Sequence, residues 1–451
     1  MGGRGATPVR RIAFAVLRRT FEERAFTDRA FRAAADSEGL GGRDRAQAQH
    51  LAFGAVQRRG TSDLIVERLS GRRAAALDPP VAAALRLGVF ELLFARATPD
   101  HAAVDQAVEL AREAGVGRAA GFVNAVLRRC ARERDKLLAG LGDAEPADAA
   151  VAHSVPEWLA RLWWEEQGAD VARLLLEAAN RPAETCMRVN ILRGDLLGAR
   201  AQLEAGGVEV TGPGGPPPLD AAPLLVIRGQ AGEAAVEMIA GGALTPQSRG
   251  SAAVIELLDP QPGERVLDLC GGPGIKATQM AERMEDRGTV VAVEPDAARC
   301  AEIVAGAARV GAGCVEAVEG DGRSVDLEAG FDRVLVDAPC SDLGTLASRP
   351  DVRWRKTQRQ IEEVAELQAQ LLDRAVELLA PGGVLVYSTC TISRRENEQQ
   401  AARLAGPTAD DLGALHPELA SAADARFLQV RPDRDDTTGF FIARFRSARA
   451  G

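Results

Sequence analysis

The sequence predicts a multidomain chain with an all-α N-terminal domain, a small α+β middle domain and a C-terminal α/β domain. Its 451 residues suit two to four domains of ordinary size. Over the first 140 residues, apolar side chains recur at helical spacing without strand-like alternation. After residue 247, short apolar runs rich in β-branched residues alternate with helical stretches, which is typical of a parallel sheet covered on both faces.

The N-terminal region contains apolar stripes at helical spacing. Three of them lie within residues 12–17, 85–93 and 104–111, and turns such as Gly41-Gly42 separate the helical segments. We therefore expect a helical domain over residues 6–140. The acidic, Ala-rich and Gly-rich stretch that follows predicts a linker over residues 141–153.

The middle region, residues 154–240, mixes both periodicities and predicts a small α+β domain. Its expected helices cover residues 156–167, 171–179 and 196–205. Its expected strands cover residues 185–190, 208–210 and 224–227, with a Gly/Pro-rich loop over residues 212–218.

The C-terminal domain is expected over residues 241–451. Its predicted strands are residues 265–269, 290–293, 315–318, 333–336 and 384–388. Its predicted helices are residues 275–284, 297–310 and 358–379, and residues 427–430 and 440–445 are expected to add a closing hairpin.

The charge distribution is uneven along the chain. The whole chain has a net charge of −9, yet residues 1–140 carry 24 Lys and Arg against 16 Asp and Glu. A basic block on an acidic body is typical of a local phosphate-binding surface. An Arg-rich helical face that is merely solvated explains the charge equally well, so both interpretations stay open.

Several classes of protein are excluded by composition. No apolar run reaches the roughly 18 residues that a membrane helix needs, and the first residues lack the pattern of a signal peptide. The seven cysteines form no Cys-x-x-Cys pair, and the four histidines lie far apart, which argues against a zinc site and a disulfide framework. We expect a monomer in the reducing cytoplasm, with no membrane or metal partner.

A glycine-rich turn between the first predicted strand of the C-terminal domain and the next helix is typical of a nucleotide-type site. Glycines let the backbone approach a ligand, and a helix N-terminus presents free N–H groups. Acids follow the next strands: Glu294 is positioned for ribose hydroxyls, Asp321 for an adenine amino group, and Asp337 ends the fourth strand. The pattern favours S-adenosylmethionine. Its expected binding residues are Cys270, Gly271, Gly272, Pro273, Gly274, Ile275, Lys276, Glu294, Asp321 and Asp337.

Two cysteines follow neighbouring strands of the predicted sheet. Cys340 comes just after the fourth strand and Cys390 just after the fifth. Because ligands of an open parallel sheet bind at the carboxyl ends of its strands, both thiols are expected to face the cofactor crevice. The cysteines at 130, 186, 300 and 314 are interpreted as small buried apolar residues.

The sequence around these cysteines resembles a known family. The segment from Asp337, Asp-Ala-Pro-Cys-Ser-x-Leu-Gly-Thr with Arg-Pro-Asp-Val-Arg-Trp beyond it, is similar to the fourth motif of the Sun-type RNA cytosine-5 methyltransferases. The segment from Tyr387, Tyr-Ser-Thr-Cys-Thr with Glu-Asn-Glu from Glu396, resembles their sixth motif. Residues 85–88, 101–104 and 120–129 resemble the NusB-like domain of the bacterial RsmB (Sun) branch.

The resemblance implies a fold and a reaction. It implies a NusB-like RNA-binding domain, an RRM-like middle domain and a Rossmann-like methyltransferase domain that uses S-adenosylmethionine. The implied reaction is methylation of carbon 5 of a single-stranded or loop cytosine in 16S ribosomal RNA. By the family pattern, Cys390 is the nucleophile that adds to carbon 6, and Cys340 assists its release. Asp337 would hydrogen-bond ring nitrogen 3, and Lys276 would hold Asp337 or the base.

Two residues depart from the family pattern. Ile275 replaces the last glycine of the first motif, and Asp342 stands where the fourth motif has glycine. These changes, with the acidic catalytic half, keep open a non-catalytic RNA-binding ribosome-assembly factor that retains the methyltransferase fold. A DNA cytosine-5 methyltransferase, with the Pro-Cys thiol as nucleophile, is a further alternative, although the second cysteine motif and the NusB-like block argue against it.

Overall fold

The protein, described by a computed structural model over residues 5–95 and 98–449, divides into two compact units. Unit 1 comprises Met1–Arg181 and Leu346–Lys356, and unit 2 comprises Pro182–Thr345 and Thr357–Gly451. The predicted domain limits at residues 140, 153 and 240 differ from the limits of these units, and they stay a prediction about separately folding regions. Within the described residues, the first 139 residues contain helices and no strand, as the apolar spacing predicts.

Helices account for most of unit 1 and cover the sheets of unit 2. No helix within the described ranges is long and apolar enough to span a bilayer. In chain order the helices are α1 (Pro8–Glu22), α2 (Thr27–Ser37), α3 (Gly42–Gln57), α4 (Arg59–Ser70), α5 (Pro79–Phe90), α6 (Asp100–Glu113), α7 (Ala120–Arg132), α8 (Arg134–Ala139), α9 (Pro146–His153), α10 (Glu157–Gln167), α11 (Ala169–Ala178), α12 (Leu196–Ala205), α13 (Gly232–Ala240), α14 (Arg249–Leu258), α15 (Ile275–Arg283), α16 (Ala297–Val310), α17 (Val352–Arg355), α18 (Gln358–Leu378), α19 (Glu398–Arg403), α20 (Leu412–Leu415) and α21 (Pro432–Asp435).

The strands all lie in unit 2, where they form two sheets. They are β1 (Thr185–Val189), β2 (Glu209–Thr211), β3 (Leu224–Arg228), β4 (Leu244–Pro246), β5 (Arg265–Asp268), β6 (Thr289–Glu294), β7 (Val315–Glu319), β8 (Phe331–Asp337), β9 (Leu379–Thr389), β10 (Thr408–Ala409), β11 (Leu428–Val430) and β12 (Phe440–Arg446).

Unit 1 is built around α5, which is apolar on nearly every side. Each residue from Val81 to Phe90 is buried, and α5 packs against α1, α3, α4, α6 and α7. A helix that is hydrophobic all round belongs in the centre of a bundle. Helix α9 begins at Pro146 within the segment predicted as a linker, since proline suits the first turn of a helix.

The segment Leu346–Lys356 belongs to unit 1 although its neighbours along the chain belong to unit 2. Arg353 is fully buried, and its guanidinium donates to four neutral oxygens: the carbonyls of Ser154, Ala179 and Leu346 and Oδ1 of Asn180. Burial lowers the pKa of Arg353 to about 9. Trp354 Nε1 donates to the carbonyl of Val56 at 2.8 Å. These contacts hold the segment Leu346–Lys356 against the helices of unit 1, whereas the sequence analysis placed it only in the fourth motif.

The sheets of unit 2 differ in type. The smaller sheet is antiparallel with strand order β2-β3-β1-β4. The larger sheet has the order β10-β12-β9-β8-β5-β6-β7, with β5 to β9 parallel and β12 antiparallel to β9. Strand β11 pairs with β12, Val430 opposite Phe440, so the predicted closing hairpin is confirmed.

Both faces of the larger sheet are covered by apolar side chains. Residues such as Val254 and Leu258 from α14 pack on one face, and residues such as Leu371 and Leu372 from α18 pack on the other. This arrangement confirms the predicted α/β domain with a parallel sheet covered on both sides. It also aligns the carboxyl ends of β5, β6, β8 and β9 along one edge, where ligands of such sheets bind.

Candidate active site

The glycine-rich turn lies between β5 and α15, as the sequence predicts. Gly274 adopts φ +85°, and a Cβ there would lie 3.2 Å from Cα of Ile303. Gly271 N donates to the carbonyl of Val293 at 2.8 Å, which holds the turn against the end of β6. The turn therefore needs glycine at 274 both for its backbone conformation and for its close packing.

Ile275 is the first residue of α15. Its backbone is therefore helical, and a β-branched side chain is accepted there. Its carbonyl accepts a 3.0 Å hydrogen bond from the buried guanidinium of Arg188 on β1. Arg188 also pairs with Glu282 on α15 at 3.0 Å, and burial lowers the pKa of Arg188 and raises that of Glu282. The smaller sheet thus braces the helix that begins at the glycine turn.

Glu294 and Asp321 follow β6 and β7 as predicted, but their surroundings differ. Glu294 is buried at the end of β6, and Oε1 accepts from the backbone N of Asp296 at 3.2 Å. Asp321 is half exposed, and both of its carboxylate oxygens accept from Arg323. That hydrogen bonding lowers the pKa of Asp321 to about 2. The Glu294 carboxylate is buried and lies 3.9 Å from the Arg299 guanidinium, whereas the Asp321 carboxylate is half exposed and bonded directly to Arg323.

Asp268 ends β5 and was missed as a candidate by the sequence analysis. Its carboxyl is buried, and Oδ1 has no hydrogen-bond partner among the described residues. Burial and the negative charge of Asp337 raise the pKa of Asp268 to about 7, while Lys276 opposes the shift. This buried acceptor beside the glycine turn is therefore available to a donor group of a bound ligand.

Replacing Asp268 by asparagine is expected to flatten the pH dependence of stability. An Asp titrates near pH 3.9 when unfolded and near pH 7 here, so the folded chain binds more protons across that interval. Stability therefore falls as pH rises from about 4 to 7, by several kcal/mol. The urea unfolding midpoint is measured for Asp268→Asn and for wild type at each pH. The difference, variant minus wild type, should increase from about pH 4 to pH 7. Asp326→Asn, an exposed control, should track wild type, and parallel curves for Asp268→Asn would contradict the shift.

Lys276 and Asp337 form a direct ion pair. Lys276 Nζ lies 2.5 Å from Asp337 Oδ2, and its ammonium stands 5.2 Å from the ring centroid of Phe440. The other carboxylate oxygen of Asp337 accepts from Ser388 Oγ at 2.7 Å. Both oxygens of Asp337 are thus held by the chain, and its carboxylate has a fixed orientation at the end of β8. The sequence analysis linked Lys276 with Asp337 but missed Ser388.

The two predicted thiols meet. Cys340 Sγ lies 3.4 Å from Cys390 Sγ, and the Cys390 thiol is 3.2 Å from Asp342 Oδ1. The hydrogen bond with Cys340, burial, and the charges of Asp342 and Asp337 raise the pKa of Cys390 well above its ordinary value. Asp342 adopts φ +60°, a conformation that Asp tolerates better than most residues, which explains how it replaces glycine.

A buried polar network supports the loops that carry these thiols. Glu396, fully buried, accepts from the Ser341 backbone N at 2.7 Å and also from the Ser341 hydroxyl. Ser341 Oγ lies 2.6 Å from Thr391 Oγ1, and Tyr387 OH donates to the Glu396 carbonyl at 2.5 Å. Each loop is therefore tied to the other next to its cysteine. The sequence analysis assigned Glu396 to a motif but gave it no role.

Comparison with known proteins finds family matches for the N-terminal and the C-terminal region of the chain. Residues 255–446 match the family model described as 16S rRNA methyltransferase RsmB/F, and residues 7–132 match the NusB family model. A protein of Mycobacterium tuberculosis (strain ATCC 25618 / H37Rv) named as a methyltransferase is 34% identical over 97% of this chain and 96% of its own length. Ribosomal RNA small subunit methyltransferase B of Klebsiella pneumoniae subsp. pneumoniae is 32% identical over 89% of this chain and 90% of its own length.

Two solved structures are also similar. The crystal structure of PH0851 matches with a TM-score of 0.80 and 26% identity, over 98% of this chain and 99% of that one. A structure of a methyltransferase homologue from Pyrococcus horikoshii matches with a TM-score of 0.58 and 26% identity, over 67% of this chain and 98% of that one. The similarity in fold therefore covers nearly the whole chain.

Proposed function

Because this chain belongs to the RsmB family of S-adenosylmethionine-dependent ribosomal RNA methyltransferases, we propose that it methylates carbon 5 of a cytosine in 16S ribosomal RNA through a covalent Cys390 adduct. The observation that carries the proposal is the pair of thiols at 3.4 Å, beside the Lys276–Asp337 ion pair. Two thiols and an oriented carboxylate suit covalent activation of a pyrimidine ring.

The residues around the glycine turn fit the cofactor. A Cβ at Gly272 would meet only the Cys270 carbonyl oxygen at 4.0 Å, so this part of the turn is open to a ligand. The buried Glu294 carboxylate suits ribose hydroxyls, and the unpartnered Asp268 oxygen is an acceptor. When bound, S-adenosylmethionine supplies an electrophilic methyl group on a sulfonium. We assign residues 270–276, Glu294, Asp321 and Asp337 to this site. The cofactor can bond to Asp321 only if it shares that carboxylate with Arg323 or displaces Arg323 from it.

The proposed first step activates carbon 5, which is a weak nucleophile in free cytosine. The Cys390 thiol loses its proton, and the nearest acceptor is Asp342 Oδ1 at 3.2 Å. The thiolate adds to carbon 6, so that electron density moves to carbon 5. Asp337, held by Lys276 and Ser388, would hydrogen-bond ring nitrogen 3 through a shared proton and relieve the charge that develops.

The proposed last step restores the aromatic ring. After carbon 5 carries the methyl group, its proton passes to the Cys340 sulfur, acting as a base in its thiolate form. The electron pair of that C–H bond forms the double bond between carbons 5 and 6 as the bond between carbon 6 and Cys390 breaks. Cys340 stands 3.4 Å from Cys390, within reach of the same ring edge, and is assigned to this release. The nucleophile therefore leaves with the electron pair of the carbon–sulfur bond and is regenerated.

The RNA is proposed to contact the basic helical region. Residues 1–140 carry the charge excess that phosphate binding needs, and exposed arginines there include Arg29, Arg32, Arg43 and Arg72. The target cytosine must leave its stack to meet Cys390, which favours a single-stranded or loop nucleotide. We propose that the protein acts as a monomer in the cytoplasm.

The test uses the full-length protein, S-adenosylmethionine labelled in its methyl group, and unmodified 16S ribosomal RNA made by transcription. We expect label in RNA, released as 5-methylcytidine on digestion to nucleosides. The same RNA transcribed with 5-methylcytidine in place of cytidine is the matched control, and it should accept no label.

Other outcomes would overturn the proposal. Tight RNA binding without label transfer would favour the non-catalytic assembly factor. Label on another atom of the nucleotide would reject the carbon 5 chemistry, and preferred methylation of a DNA competitor would indicate the DNA enzyme. Bisulfite sequencing of the product then identifies the methylated nucleotide.

A further inference from the structure

We propose that Cys340, Asp342 and Cys390 form a binding site for a thiophilic divalent cation such as Zn²⁺, and that the bound ion blocks the nucleophile. One donor atom from each of these residues lies within 4.8 Å of the others. The spacing of cysteines and histidines along the sequence argued against a zinc site. This cluster instead joins two loops whose cysteines are 50 residues apart.

The distances between the donors are close to those of a tetrahedral site. Zinc–sulfur bonds of about 2.3 Å and a zinc–oxygen bond of about 2.0 Å separate two sulfurs by about 3.8 Å, and a sulfur and an oxygen by about 3.5 Å. The corresponding distances here are 3.4 Å between the thiols and 3.2 Å between Cys390 Sγ and Asp342 Oδ1. These two distances are within about 0.3–0.4 Å of the tetrahedral values. The third distance, between Cys340 Sγ and the Asp342 carboxylate, lies within 4.8 Å.

The chemistry of the donor set selects the ion. Two thiolates favour Zn²⁺ over Mg²⁺ or Ca²⁺, which prefer oxygen ligands. On binding, the two S–H bonds break, two metal–sulfur bonds form, and both protons go to solvent. Three protein ligands leave one position for water, as in open zinc sites. The Cys390 sulfur then shares a lone pair with the metal, which lowers its nucleophilicity and suppresses its addition to a pyrimidine.

Asp342 supplies the third ligand of the proposed site. It stands where the resembled motif has glycine, and its φ of +60° is a conformation that Asp tolerates. Its side chain reaches Cys390 from the loop that carries Cys340. Without it, the loops offer only two thiols. The third ligand is therefore expected to decide whether the ion binds at micromolar concentration.

Metal binding goes beyond the proposed methyl transfer, because it requires neither RNA nor cofactor and is measured without them. The full-length protein, with both thiols confirmed as reduced, is titrated with Co²⁺ as a spectroscopic probe and then with Zn²⁺. We expect a thiolate-to-cobalt charge-transfer band and intense visible bands of tetrahedral cobalt at one equivalent, and their loss when Zn²⁺ displaces the probe.

Variants identify the ligands. Cys340→Ala and Cys390→Ala should each abolish the charge-transfer band of the tetrahedral site. Asp342→Gly should weaken Zn²⁺ affinity, measured against a chromophoric chelator, by about tenfold or more. Cys300→Ser removes a thiol outside the cluster and should bind as wild type does. Circular dichroism and thermal unfolding check that every variant is folded.

Three results would overturn the inference: no binding by the reduced wild type, binding that survives either cysteine replacement, or equal affinity in Asp342→Gly. A methyltransferase that is active but binds no metal would reject the metal site alone. A protein that binds the metal but transfers no methyl group in its metal-free form would reject the proposed function alone.

Discussion

Replacing Cys390 by alanine is expected to abolish methyl transfer, with a loss of more than about 10³-fold in single-turnover rate. The neighbouring Cys340 thiol is only 3.4 Å away, but it lies on the other loop and is assigned to release rather than attack. The adduct is measured with RNA containing 5-fluorocytidine. Fluorine at carbon 5 prevents the proton loss that ends the reaction, so the RNA stays bound to the nucleophile. Cys390→Ala should give no denaturant-resistant complex.

Cys340→Ala is the matched variant, since it removes the partner thiol at the same site. It should still form the adduct and should trap ordinary RNA on the protein, because release is slowed while attack remains. Cys300→Ser, which leaves both loops intact, should turn over normally. If Cys340→Ala failed to form the adduct and Cys390→Ala trapped RNA, the two roles would be reversed and the DNA-type assignment would be favoured.

Replacing Asp337 by alanine should lower the single-turnover rate by about 10²–10³-fold, the usual cost of losing a preorganised group at a site of developing charge. Its carboxylate is oriented by Lys276 Nζ at 2.5 Å and Ser388 Oγ at 2.7 Å. The loss should appear in the rate at saturating RNA more than in RNA affinity, because Asp337 is proposed to act on the ring after addition begins.

Two further variants separate orientation from charge. Ser388→Ala removes one hydrogen bond of Asp337 and should cost about tenfold or less. A double-mutant cycle between Lys276→Met and Asp337→Ala should show strong coupling, since either change leaves the other group without its ion partner. A rate in Asp337→Ala no lower than in Ser388→Ala would contradict the proposed role of the carboxylate.

Most elements were predictable from local patterns. The predicted strand and helix that flank the glycine turn correspond to β5 and α15, and the predicted helix over residues 196–205 is α12. The helical N-terminal region, the parallel sheet and its closing hairpin are confirmed, as are the family and the cofactor. These features depend on the side-chain period of each segment and on motifs that are contiguous in the chain.

Helix α14 shows where the patterns failed. Eight of its ten residues are buried, but its uninterrupted apolar run, residues 252–255, is only four residues long. A run this short does not distinguish a helix from a strand by its period. Helix α13 and the three-residue β4 were missed as well, and both lie beyond the last strand predicted for the middle region.

The sequence by itself determined the fold class and the family, because each depends on residues that are close together in the chain, and it supplied the reactive side chains that we propose. Only the tertiary structure brought Cys340 within 3.4 Å of Cys390, turned Asp342 towards them and buried Asp268 without a partner for Oδ1. It also assigned Leu346–Lys356 to the helical unit. These contacts join residues far apart in sequence, and their distances follow from sheet order and packing, which no local period encodes.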